Sequence, residues 1–243
     1  PAPRAMTQRD IDDVIEAFVE ATRRTIAAGF KVLEIHGAHG YLIQSFLSPI
    51  SNQRNDAYGG DLQGRMRFAL ELTEAVRQAW PQHLPLFFRI SAVDGPTEGW
   101  SMDDSVTLSK ALHKLGVDVI DCSSGGVLGP PRFRGDDAGK PFQSRTARGP
   151  GFQVPYAERI KQQTDALSMA VGVIVDPHQA NDIIEAGQAD LVALGRELMY
   201  NPFWPLHAAQ ALDADAAFKH WPEQYGWAVE KRAGLAEFTG VRD

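Results

Sequence analysis

The chain holds a single cysteine, Cys122, among its 243 residues. That count excludes an intramolecular disulfide, a cysteine-rich zinc site and a self-contained iron–sulfur cluster within the chain. A lone thiol also fits a reducing compartment, so the cytoplasm is the expected location. Long apolar runs are missing: nothing approaches the roughly 20 residues that a membrane span needs, and the opening Pro1-Ala2-Pro3-Arg4 does not read as a secretory leader. There is no basic block and the formal net charge is −7, which argues against nucleic acid and anionic membrane as partners. No G-x-G-x-x-G opens a helix after a strand, so a dinucleotide-binding open sheet has no fingerprint here.

What is present is an ordinary globular composition, 44% hydrophobic and 23% charged, over a length that suits one domain. Thr7 with Asp10 three residues later reads as a variant capping box, and Ile11, Val14, Ile15, Phe18, Val19 and Ile26 follow at helical spacing up to Gly29. A strand over Lys31 to Ile35 is expected next, breaking at His36, with the chain curling at Gly37 and Gly40. Further helices are expected over about Leu62 to Trp80, from Ser101 to Gly116, over Val154 to Thr164, and from Asp176-Pro177 to Gly187. Strands are expected over Leu84 to Ser91, Val117 to Cys122, Met169 to Val175 and Leu191 to Leu194. A stretch heavy in Gly, Pro and Arg separates Ser123 from Phe152, and a loop of that length in a compact domain is usually functional or disordered.

Five strands, each followed by a helical pattern and without polar alternation, predict a parallel sheet covered on both faces. A doubly wound open sheet and a (β/α)8 barrel both satisfy that. The barrel fits better, because polar groups and glycines collect at the ends of all five strands: His36, Arg89, Ser123, Gly172 and Gly195-Arg196.

His36 and His39 can point into one pocket with Tyr41 beside them. As metal ligands they would need a third and fourth partner, and Glu34 and Asp56 sit at no familiar spacing for that. As paired hydrogen-bond donors they would hold and polarise a carbonyl or phenolate oxygen, with Tyr41 as a proton donor. Two surface histidines in a loop is the bland alternative. Arg89 interrupts an apolar strand, and an unpaired buried charge is expensive, so something anionic is expected to meet it: a ligand or a structural carboxylate. Gly172 and Gly195 permit close backbone approach, and Arg196 offers a planar fork to a phosphate; a surface ion pair is the alternative for Arg196.

The run H-G-A-H-G-Y from His36, then F-L-S-P-I-S-N-Q-R-N-D-A-Y-G-G from Phe46 and G-R-M-R-F from Gly64, closely resembles the old yellow enzyme family of flavin-dependent ene-reductases and NAD(P)H:flavin oxidoreductases, in particular the bacterial xenobiotic-reductase-like subgroup. The motifs are long and gap-free, and the resemblance runs from about Met6 to about Trp227. It implies a TIM barrel in which the H-x-x-H strand is the fourth. The chain would then supply strands four to eight, the first three missing, as the C-terminal portion (1–243) of a single flavin-binding domain with a tail from about residue 213.

The family likeness further implies FMN as cofactor and NADPH or NADH as reductant. It places Arg89 beside the N1/O2 edge of the flavin ring, where it would meet the negative charge that reduction brings, and Gly195 and Arg196 at the flavin phosphate. Gly172 lies in the other loop where barrels hold a phosphate, and Ser123 and Ser124 are candidates for the ribityl chain. His36 and His39 would hold the oxygen of an enone-type substrate while Tyr41 protonates the α-carbon. The expected partners are that substrate, an N-terminal segment completing the barrel, and further copies of the chain in a dimer or tetramer. In one subgroup a tail resembling Trp221-Pro-Glu-Gln-Tyr-Gly-Trp227 lines a neighbouring subunit's site, which makes Trp227 a candidate substrate contact; rings that merely cover the barrel's bottom are the alternative. A metal-dependent barrel hydrolase and a non-catalytic half-barrel assembly unit are the competing function classes.

Overall fold

A computed structural model describes residues 4–96, 98–127, 149–233 and 235. Helix α1 (Gln8–Ala27) starts at the Thr7 capping box, with the Thr7 amide donating to Asp10 Oδ2 at 2.7 Å. Strand β1 (Leu33–Gly37) is followed by a short helix α2 (Leu42–Leu47) and by α3 (Leu62–Ala79). Then come β2 (Leu86–Ser91), α4 (Met102–Lys114) behind a Ser101/Asp104 capping box, and β3 (Val119–Ser123). The chain continues through α5 (Val154–Gln163), β4 (Leu167–Val171), α6 (Pro177–Glu185) and β5 (Leu191–Ala193). It closes with α7 (Arg196–Tyr200), α8 (Trp204–Ala211) and α9 (Glu223–Ala233).

All four strand pairings are parallel, and the spatial order β1-β2-β3-β4-β5 is the order of the sequence. A doubly wound sheet reverses direction at a switch point; this one never does. With right-handed crossovers, an unreversed order puts every connecting helix on one side of the sheet. The core agrees: Ile35, Phe88, Ile90, Ile120, Cys122 and Ala170 pack with Phe68, Leu72, Leu108 and Ile160 of the helices. Two aspartates set the register at the strands' starting ends. Asp118 Oδ2 accepts from the Leu86 amide at 2.8 Å, and Asp190 Oδ2 accepts from the Ser168 amide at 2.8 Å.

The opposite parity faces away from the helices, and here the structure departs from the expected sheet covered on both sides. Glu34 and His36 are exposed, and Leu167 and Leu191 keep 50% and 39% of their surface. The strands do alternate in polarity, because this inner face carries Glu34, His36, Arg89, Asp121 and Ser123. Other expectations need correction. Strand β1 runs through His36 to Gly37 instead of breaking at His36, since pairing with β2 continues to Gly37↔Ile90. The curl falls on His39 (φ 60) and Gly40 (φ 76). Strand β4 lies earlier than Met169 to Val175, because Gly172 at φ +125 ends it. Helix α2 was not foreseen: its six residues lie inside the His-Gly signature, too short for a readable period. The Gly-, Pro- and Arg-rich stretch falls largely on residues 128–148, outside the described residues.

Phe88 is fully buried between sheet and helices, whereas Leu167 is half exposed on the inner face. Truncating Phe88 to Ala should cost about 3–5 kcal/mol, and Leu167→Ala in this chain alone less than about 1 kcal/mol. Urea denaturation of the two variants checks the ordering; equal losses would mean that the inner face is as tightly packed as the helix face.

Candidate active site

The strand ends of β1 to β5 surround a cavity of about 1010 Å³. His39 and Tyr41 line it from the β1–α2 loop, Arg89 from β2, Ser123 and Ser124 from the end of β3, Gly172 from the loop after β4, and Gly195 and Arg196 from the loop after β5. His36 stands beside them, its ring 5.1 Å from that of His39 and 5.5 Å from that of Tyr41. The structure therefore gathers every residue singled out in the sequence except Trp227. Trp227 lies on α9, 60% exposed, with its Nε1 donating to Gln224 O and the Lys231 ammonium 5.0 Å from its ring. It is not among the residues lining the cavity.

The loop that carries His39 is positioned by hydrogen bonds that sequence reading missed. The His39 amide donates to Ser91 Oγ at 3.0 Å, and Ser91 Oγ donates to Gly125 O at 2.6 Å. The Gly40 amide donates to Gln44 Oε1 at 2.6 Å, and Gln44 Nε2 donates to the buried Asp94 Oδ1 at 2.6 Å. Asp94 also accepts from Ser48 Oγ and from the Trp100 amide. A carboxylate with this many donors anchors the His loop to the segment after β2. The one sequence signal for it was Gln44, a polar residue in an otherwise apolar stretch.

Gly40 and Gly126 meet back to back. A Cβ on Gly40 would lie 2.3 Å from Gly126 O, and one on Gly126 would lie 2.1 Å from the His39 carbonyl carbon. Both also have positive φ, so any side chain would be strained as well as blocked.

The signature from Phe46 to Gly60 is mostly scaffold. Asn52 Nδ2 donates to Phe46 O at 2.6 Å and to Tyr58 O at 2.8 Å. Arg54 pairs with Asp56 at 2.5 Å and donates to Met6 O at 2.8 Å. Arg65 Nε donates to Leu47 O at 3.0 Å. These bonds lock α2 against the start of α3, and α2 in turn carries the ring-bearing loop.

The electrostatics favour neutral imidazoles. Burial pushes His39 down to about 4, helped by the positive charge of Arg89 and by His36. His36 is lowered by the same two causes, burial first and Arg89 second. His39 Nε2 lies 2.7 Å from Ser123 Oγ. With the Gln153 amide oxygen toward the two serines, its nitrogen donates to Val171 O at 3.1 Å and its oxygen accepts from the Ser124 amide at 2.7 Å. The one Ser123 hydroxyl proton goes either to the Gln153 oxygen at 3.2 Å or to His39 Nε2, and in the second case the N–H of His39 is at Nδ1. Arg89 is not surplus to the fold either: its Nε lies 3.2 Å from Asp121 Oδ2 behind the cavity wall.

The metal reading lacks ligands. Among the described residues no group of three or more His, Cys, Asp and Glu is placed to hold an ion. A flavin phosphate has room at Gly195, where a Cβ meets nothing within 4 Å beside Arg196, while at Gly172 that position is taken by Gln153 and Phe152.

Comparison with known proteins agrees with this geometry. The model of the NADH:flavin oxidoreductase / NADH oxidase family matches residues 1–215. An NADPH dehydrogenase of Geobacillus sp. (strain WCH70) is 46% identical over 210 residues, 86% of this chain and 57% of the relative. An NADPH dehydrogenase of Geobacillus thermodenitrificans is 43% identical over 229 residues, 93% of this chain and 62% of the relative. The chain thus spans about three fifths of the length of these curated relatives. Among solved structures, morphinone reductase in complex with tetrahydroNAD superposes with a TM-score of 0.68 at 22% identity, over 87% of this chain and 52% of that one. A 2-naphthoyl-CoA reductase superposes with a TM-score of 0.76 at 24% identity, over 86% of this chain and 30% of that one. Those two show the fold; the family match and the NADPH dehydrogenases show the kinship. No helix among the described residues is long and apolar enough to cross a membrane. The chain belongs to the NADH:flavin oxidoreductase / NADH oxidase family, that is, the old yellow enzyme family, whose cofactor is FMN and whose reductant is NADPH or NADH.

Proposed function

We propose that this chain is the C-terminal portion of an NAD(P)H-dependent FMN oxidoreductase that reduces the activated C=C bond of α,β-unsaturated carbonyl compounds. The observation that carries the reading is the convergence of two neutral imidazoles and a phenol on the cavity that Arg89, Gly172, Gly195 and Arg196 also line. The flavin, when bound, supplies the hydride that it has taken from the nicotinamide. Arg196 and the backbone at Gly172 and Gly195 would hold its phosphate, Ser124 its ribityl chain, and Arg89 the polar edge of its ring.

The remaining chemistry belongs to the chain's own side chains. His36 and His39, being neutral, each present one N–H to the substrate carbonyl oxygen and stabilise the negative charge that develops there. An imidazolium would bind a phenolate more strongly but would risk giving up its proton. Keeping both rings neutral leaves proton delivery to Tyr41, which is 65% exposed at the cavity mouth and free to reach the α-carbon.

In the same proposal β1 to β5 are strands four to eight of the barrel, and an N-terminal segment covers the inner face bearing Leu167 and Leu191. The chain works as a homo-oligomer, dimer or tetramer, in the cytoplasm. The exposed Trp227 serves a neighbouring subunit's cavity rather than its own.

Removing either imidazole should weaken a phenolic ligand and spare the flavin. His36→Ala and His39→Ala are each expected to lower the affinity by the equivalent of about 1–3 kcal/mol, with FMN content near that of the unaltered protein. Absorbance titration with a substituted phenol reads both quantities; loss of FMN with ligand affinity intact would reverse the assigned roles.

Arg196→Ala is expected to strip FMN while leaving riboflavin affinity unchanged, since only FMN carries the phosphate that the guanidinium meets. Fluorescence titration of the two flavins separates the cases, and undiminished FMN affinity would remove the phosphate site.

The lowered His39 has a measurable sign. Between about 4 and its ordinary 6.5 the folded protein binds fewer protons here than the unfolded chain. The contribution to stability is therefore complete above 6.5 and lost as pH falls through about 4. Ring-carbon resonances of His39 should stay in their neutral positions from pH 8 to pH 5, and a midpoint near 6.5 would contradict this.

A further inference from the structure

Behind the cavity, the inner face of the sheet carries two carboxyl groups and one guanidinium. Cα register puts Arg89 of β2 beside Asp121 of β3, and the Asp121 side chain is 2% exposed. Their contact at 3.2 Å is an ion pair without a hydrogen bond: Arg89 Nε and Asp121 Oδ1 are both buried and neither has a hydrogen-bond partner. Glu34 of β1 stands on the same face of the sheet as Arg89 and Asp121, and its carboxyl and that of Asp121 act on each other. Two ionised carboxylates could not hydrogen-bond each other, and with one guanidinium they would leave a net negative charge on the inner face.

We propose that Glu34 and Asp121 hold one proton between them, and that this proton keeps Arg89 available to negative charge arriving from the cavity. The second half rests on the reading of the cavity as a flavin site; the first does not. Asp121, with the cation beside it, keeps the charge, while Glu34 carries the proton and supplies the donor that Asp121 otherwise lacks. Both carboxyls are raised above the ordinary range. Burial is the first cause for each; the Asp121 charge adds to it for Glu34, and Arg89 opposes it for both. Glu34 is exposed as a residue on the inner face, and desolvation of its carboxyl is the first cause that raises it.

Among the described residues of the neighbouring strands, few other charges accompany the pair. From β1 there is His36, held neutral, and from the loop after it His39, also neutral. The thiol of Cys122 on β3 points into the helix-side core, where burial raises it and keeps it protonated. On β4 the register neighbour of Asp121 is the apolar Met169. No other cation among these neighbours competes with Arg89 for Asp121, so the state of Glu34 decides how much positive charge Arg89 shows to the cavity. Glu34 and Asp121 are in that sense positioning residues.

Two measurements test this. In flavin-free protein carrying ¹³C-labelled Glu and Asp carboxyls, Glu34 and Asp121 should titrate as a linked pair with one step above pH 6. In Glu34→Gln the Asp121 carbon should move to a lower midpoint, because an amide donor cannot lose its proton. Two independent midpoints below pH 5 would overturn the shared proton whatever the flavin does.

The second measurement is proton uptake during electrochemical reduction of FMN-loaded protein near pH 7 in weak buffer. Two electrons reaching the ring are balanced by one proton there and, where the pair has lost its own, by one returned from water to Glu34. The unaltered protein should take up more protons per two electrons than Glu34→Gln. Equal uptake would overturn the link to Arg89. A protein that took up no FMN would overturn that link together with the functional reading, while the carboxyl titration would still judge the pair.

Discussion

The parallel register of the sheet is the constraint on which the site depends. It sets His36, Arg89, Asp121, Met169 and Leu191 in one row across five strands, and Ser91 beside Ser123 one step nearer the cavity. In a strand the side chains alternate faces, so a slip of one residue would drive Arg89 and Asp121 into the helix-packed core and turn Phe88 and Cys122 outward. The aspartates that precede β3 and β5 guard against that slip by accepting an amide at the start of the neighbouring strand, Leu86 in β2 and Ser168 in β4. A register fixed at the far end of the sheet thus delivers a ligand-facing row at the near end.

Much of this could be read in the residues. Both capping boxes lie where Thr7/Asp10 and Ser101/Asp104 predict them, because a cap is a local bond between residues three apart. The five strands and the gathering of His36, His39, Tyr41, Arg89 and Arg196 at one end were also legible, since a parallel βα pattern leaves few places for polar strand ends. What escaped was non-local. Asp94 is fifty residues from Gln44 and reads alone as a loop aspartate, and Glu34 reads as the polar member of an ordinary strand. Their partners exist only after the sheet has formed. The end of β4 was misplaced because Val173, Ile174 and Val175 continue the apolar run beyond a glycine whose φ the sequence does not declare. Trp227 fell outside the cavity because an aromatic cluster signals burial or contact without saying against what.

Burial does two jobs in this site with opposite sign. It lowers the imidazoles and raises the carboxyls, so that both kinds of group shed charge. Arg89 is the basic member of the row, paired with Asp121, and it contributes to lowering both histidines. Neutral imidazole donors beside a guanidinium make the end of the sheet hospitable to an oxygen gaining negative charge.

The back-to-back contact of Gly40 with Gly126 bears on how this site could be redesigned. The loop that carries the imidazoles and the loop that follows β3 touch backbone to backbone there, with no side chain between them to shorten or lengthen. That wall of the cavity therefore has fixed width, and libraries aimed at bulkier substrates would waste their diversity on it. Room can be made where Phe152, Leu194 and Tyr200, among the described residues, line the space with side chains that can be exchanged. One side of this mouth is thus set by backbone against backbone, and the exchangeable side chains are where selection can work.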